Sequence, residues 1–108
     1  MNKKRLLMLA RHLDKVLDSR FDMNTWSCRT KGCALYHASK IPELRKAGLT
    51  MSGGWPKMRK SRNLGLCAAC ELFGISYKQS HFLFGIAGDV TAKEVAKTIR
   101  KFVRSKEE

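Results

Sequence analysis

The sequence predicts an all-α fold: a small single-domain bundle of about five helices with one long glycine-rich loop. Three observations lead there. Apolar residues recur at three- and four-residue spacing in several segments. Two capping-box spacings, Ser76 to Gln79 and Thr91 to Glu94, stand ahead of apolar-periodic stretches. No stretch alternates apolar and polar residues with the period of a strand. The 108 residues fit one helical domain, and a 44% hydrophobic fraction with two Trp and five Phe supplies a core, which excludes wholesale disorder.

The first helix is expected over residues 3 to 18, where Leu6, Leu9, Ala10, Leu13, Val16 and Leu17 share a face and Arg11, Lys15 and Asp18 point away. Residues 20 to 26 break that period and form a connector anchored by Phe21 and Trp26. A short helix follows from about Gly32 to Lys40, and Pro42 forbids its simple continuation. Residues 48 to 63 hold Gly48, Gly53, Gly54 and Pro56 without an apolar period, and read as the long loop. Trp55 within it is either an anchor on the core or an exposed contact residue.

Leu64 to Phe73 is apolar almost all round and reads as the central buried helix, with Gly74 as a left-handed stop. Ser76 opens a helix over about Tyr77 to Phe84 that stops at Gly85. Thr91 opens the last helix, about residues 92 to 105. In it Val95, Ile99, Phe102 and Val103 form one face, while Lys93, Lys97, Arg100, Lys101 and Arg104 form the opposite one.

Lys and Arg number 22 against 9 Asp and Glu, a formal charge of +13. The excess is segregated into the start (Lys3, Lys4, Arg5, Arg11), the loop (Lys57, Arg59, Lys60, Arg62) and the last helix, around a nearly uncharged stretch from 63 to 90. Such an imbalance attracts polyanions, nucleic acid above all, because displaced counterions drive phosphate binding. No apolar run reaches more than about five residues, too short to span a membrane. The Met1–Arg5 start looks like the head of a leader, but Arg11, His12 and Asp14 interrupt the apolar stretch that follows, so a cytoplasmic protein is expected.

Four cysteines occur as Cys28-x4-Cys33 and Cys67-x2-Cys70, with His37 four residues after Cys33. Two such pairs, with His37 as an alternative ligand, have the chemistry of a tetrahedral structural zinc site. Against that, the first spacing is loose, and Cys67-Ala-Ala-Cys70 serves equally as small helix packing. His37 reads as a satisfied helix residue, or the partner of a nearby backbone carbonyl, ahead of a ligand. Without zinc, no cofactor is implied. Cys33 and His37 could approach as a nucleophile and base, but nothing nearby orients the base or stabilises an oxyanion. Paired carboxylates and phosphate-cradling glycine loops are also missing, so no enzymatic activity is expected.

Phe21-Asp-Met-Asn-Thr-Trp26, followed by Cys28-Arg-Thr-Lys-Gly-Cys33-Ala-Leu-Tyr-His37-Ala, resembles a pattern in short, mostly uncharacterised bacterial and phage proteins. In those, Arg-Phe-Asp-Met-x-x-Trp precedes Cys-Gly-Thr-x-x-Cys-Ala-x-Gly-His-Ala and a proline. Ala68 to Gly74, Leu83-Phe84 and Thr91 to Ala96 are similar to its later segments. Arg29 and Tyr36 stand where the pattern has glycines, and Cys67 and Cys70 are no part of it. The resemblance implies that Cys28, Cys33 and His37 act as a local unit fixing the connector on the start of the helix. It also implies a phage or mobile-element setting in a bacterial host.

Two functions follow as expectations. One is a basic accessory protein that binds nucleic acid through the last-helix stripe and the loop cluster, without strong sequence specificity, since no base-reading helix signature is present. The other is a protein-binding inhibitor or regulator of a host nucleic-acid machine, such as an anti-defence protein, with Tyr36, Trp55 and the basic clusters as contact residues.

Overall fold

The computed structural model describes residues 1–23, 27–28, 31–85 and 90–106, with backbone alone at 27–28 and 31–32. The expected anchor Trp26, and the closing Glu107 and Glu108, lie outside the described residues. The chain runs α1 (Lys3–Leu13), a 3-10 turn (Asp18–Arg20), β1 (Ser27–Cys28), β2 (Lys31–Gly32), α2 (Ala34–Ala38) and α3 (Pro42–Lys46). It continues β3 (Leu49–Ser52), β4 (Trp55–Met58), α4 (Leu66–Phe73), α5 (Tyr77–Phe84) and α6 (Ala92–Ser105).

The all-α expectation is therefore wrong: among the described residues six helices are joined by two antiparallel strand pairs, β1–β2 and β3–β4. The second pair lies inside the segment read as a long loop. Gly53 and Gly54 take φ of 59° and 83°, as a two-residue turn of the type favoured by twisted hairpins requires. Ser52 then faces Trp55, Met51 faces Pro56, Thr50 faces Lys57 and Leu49 faces Met58.

The period-two pattern is present but folded about the glycines. Leu49, Pro56 and Met58 are buried on the inner face with the half-buried Met51, while Thr50, Ser52, Trp55 and Lys57 look outward. Pro56 is tolerated because the pair next to a loop-closing bonded pair exchanges no backbone bonds. The Pro56 carbonyl instead accepts the Gly65 amide at 2.8 Å, and Lys57 bridges Leu64 on the returning chain.

The first helix is shorter than its periodicity. After Leu13 the hydrogen bonds tighten, with the Lys15 amide donating to the His12 carbonyl at 3.0 Å and the Val16 amide to Leu13 at 3.1 Å. Leu17 swings out to 63% exposure. The turn lets Phe21 and Met23 enter the core instead, so tertiary packing overrides the local pattern. Pro42 is a start, not only a stop: it occupies the first turn of α3, where its missing amide costs nothing.

The second half follows its sequence closely. Gly74 ends α4 in the left-handed region (φ 63°, ψ 44°), and both capping boxes form. α4 buries Ala68, Ala69, Leu72 and Phe73 but leaves Cys67 and Glu71 exposed, so it is one-sided and not buried all round. Phe73 and Phe84 stack with ring centroids 5.5 Å apart. α1 and α6 pack on each other, and Leu6, Leu9, Ala10 and Leu13 of the one lie with Val95, Ala96, Ile99 and Val103 of the other in one continuous core. Among the described residues no helix is long and apolar enough to cross a membrane.

Candidate nucleic-acid interface

The basic residues divide into those that hold the fold and those left facing water. Arg5 belongs to the first group: its guanidinium donates to the Leu72 carbonyl in the last turn of α4 at 2.8 Å. Orphan carbonyls and a partial negative charge at a helix C-terminus favour a cation there. The Asn2 amide donates to the neighbouring Phe73 carbonyl at 2.7 Å, so the start of α1 closes that end of α4. Arg59 does the same for α3, donating to the Arg45 carbonyl at 2.8 Å.

On α6, Lys93, Lys97, Lys101 and Arg104 are exposed, as helical spacing from the capping box onward dictates. Arg100 is placed differently. It sits at the edge of the stripe against α1 and binds both carboxylate oxygens of Asp14. That hydrogen-bonded guanidinium, helped by its charge and that of Lys93, holds the Asp14 carboxyl below the ordinary carboxylate range. Arg11 is exposed one turn before Asp14 on the same side of α1, so its charge joins the α6 surface.

The loop cluster is also divided. Lys57 and Arg62 line one depression with Ser52, Gly53, Trp55 and Leu64. Arg59 lines another with Pro42, Arg45 and Lys46. Lys60 stands exposed between them in sequence. Arg62 is the one described non-glycine residue with positive φ (66°), and it turns the chain back beside β4. Trp55 is not a core anchor: 49% of its surface is exposed.

A third basic groove lies between the end of α1 and α2, lined by His12, Lys15, Arg20, Tyr36 and Lys40 over Val16 and Leu17. Among the described residues no carboxylate lines it. Lys40 stands 5.0 Å above the Tyr36 ring. Burial and the charge of Lys15 lower the His12 pKa below its usual value, leaving the ring neutral at pH 7. Sequence reasoning offered Tyr36 alone of this group as a contact residue, because the other members come from a helix end and a turn whose geometry periodicity does not encode.

His37 is buried, and its Nε2–H donates to the Arg20 carbonyl at 2.7 Å. Its ring stacks on Phe21 at 5.9 Å and meets Tyr36 edge-on at 5.0 Å. His37 thus pins the connector to α2 by the carbonyl bond that the sequence offered as one alternative. Among the described residues no three His, Cys, Asp or Glu side chains gather as a metal site. Cys33 is buried ahead of α2, while Cys67 is exposed and Cys70 half-buried on α4. The Cys28 side chain lies outside the described residues. Burial pushes the Cys33 and Cys70 thiols up, away from the reactive thiolate form.

No family model, curated protein or solved structure matches the chain.

Proposed function

We propose that the protein binds nucleic acid through the phosphate backbone, without strong sequence specificity, as a small accessory protein of a phage or mobile element. The observation that carries this reading is the exposed row of Lys93, Lys97, Lys101 and Arg104 on α6, extended by Arg11 of α1. The row is roughly 16 Å long at 1.5 Å per residue, enough to meet several phosphates. Neighbouring acids have structural partners: Asp14 binds Arg100, and Glu94 accepts the Thr91 amide at 3.1 Å. The long cations are left to neutralise phosphate, and backbone contacts of this kind position a protein without reading bases.

Salt titration tests the reading. Binding that weakens with salt at a log–log slope of roughly −3 to −4 matches about four phosphate contacts. No binding to DNA or RNA at low salt overturns it.

A second reading, a protein that docks on a host nucleic-acid complex, is favoured by α5. Tyr77 and Phe82 are 59% and 55% exposed there, and Phe82 shares a groove with Lys101 and Phe102 of α6 and with Lys106 just past its end. Aromatic side chains flanked by cations are common anchors of protein interfaces. A stoichiometric partner retained from nuclease-treated host lysate selects this reading over the first.

A further inference from the structure

The outer face of the β3–β4 hairpin brings a large ring, an aliphatic side chain and two cations together. Trp55 and Lys57 point the same way, two residues apart on β4. The Lys57–Leu64 bridge sets Leu64 beside them, and Leu64 is itself 49% exposed. Arg62, turned by its left-handed backbone, completes the depression, and among the described residues no carboxylate lines it. The hairpin's packing on the core uses its other face, through Leu49, Pro56 and Met58.

We infer that this face is a stacking platform for an unpaired base, so that the preferred ligand is single-stranded nucleic acid. The inference rests on the nucleic-acid reading above and narrows it. An indole face receives any of the four bases, which suits a surface that lacks base-reading side chains. Lys57 and Arg62 are placed to neutralise phosphates on either side of the stacked nucleotide. A duplex keeps its bases stacked on one another, so it engages the cations but offers the indole no base face.

The test uses the full chain with end-labelled 15-nucleotide oligo(dT) and a 15-base-pair duplex, followed by fluorescence anisotropy at low salt. Trp55→Ala is expected to weaken oligo(dT) binding roughly tenfold or more and to change duplex binding less than about twofold. Trp55→Phe is expected to recover most of the loss. Quenching of tryptophan emission by oligo(dT), and not by duplex, is expected as well in Trp26→Phe, which leaves Trp55 as its one indole, and this readout holds even if Trp55→Ala does not fold. Equal losses for both ligands, no loss for either, or equal quenching by both overturns the platform and leaves backbone binding standing. Failure of the unmodified chain to bind either ligand overturns both.

Discussion

Asp14 near the end of α1 grips Arg100 in the middle of α6 with both carboxylate oxygens, one bond measuring 3.1 Å. The pair ties together the two helices that form the basic face, and it withdraws one arginine from that face. Both side chains stay about two-fifths exposed (39% and 41%), so solvent screens the pair and its contribution is at most about 1 kcal/mol. Asp14→Asn is expected to lower stability by no more than that, while releasing Arg100 to phosphate. Affinity for nucleic acid should rise several-fold at low salt, with a salt slope steeper by roughly 0.7 to 0.9. Thermal melting and a binding isotherm measured on the same variant check the two effects together.

The same pair sets part of the acid response. Because the folded pKa of Asp14 lies below its ordinary 3.8, its contribution is intact above about pH 4 and is lost as pH falls through the folded value. His12 acts at higher pH. Its folded pKa lies below 6.5, so the unfolded chain takes the proton first, and stability falls as pH drops from 6.5 through the folded value. His12→Gln is expected to flatten the stability profile just below pH 6.5 and leave the profile below pH 4 unchanged. Urea midpoints measured across pH 3 to 8 separate the two.

Lys97 and Lys101 carry their charges into water, so Lys97→Glu with Lys101→Glu should change stability by less than about 1 kcal/mol. Nucleic-acid affinity should fall more than tenfold, with the salt slope reduced by roughly 1.5. An unchanged slope in a folded double variant would remove α6 from the interface.

His37→Ala removes the donor to the Arg20 carbonyl and the ring under Phe21. The expected cost is about 1 to 3 kcal/mol, because a partly buried carbonyl loses its partner. A chemical denaturation curve reads it. If His37 were instead a zinc ligand, the loss would depend on zinc, and adding a chelator to the unmodified chain would reproduce it.

Alkylation under native conditions should follow exposure and thiolate character. Among the cysteines whose side chains are described, Cys67 is expected to react first, Cys70 later, and Cys33 only after unfolding. Peptide mapping after timed iodoacetamide treatment checks the order.

The second half of the chain was legible because its signals are local. Ser76 with Gln79, Thr91 with Glu94, and Gly74 each act within one turn of backbone, and α6 shows its two faces at a spacing that needs no partner. Those local signals determined where α5 and α6 begin and that the cations of α6 lie opposite its apolar face. The first half depended on distant partners. Leu17 lost its place in the core to Phe21 and Met23, a competition that no helical period records. The β3–β4 hairpin was hidden because its glycines and Pro56 read as loop punctuation, and its alternation appears only when Leu49 is set opposite Met58. The tertiary structure alone decided which cations brace the fold. Arg5, Arg59 and Arg100 found acceptors far along the chain, at Leu72, Arg45 and Asp14, whereas Lys97 and Lys101 remained on the exposed face. Net charge is set by composition, but the part of it available to a partner depends on which side chains the packing brings within hydrogen-bond reach.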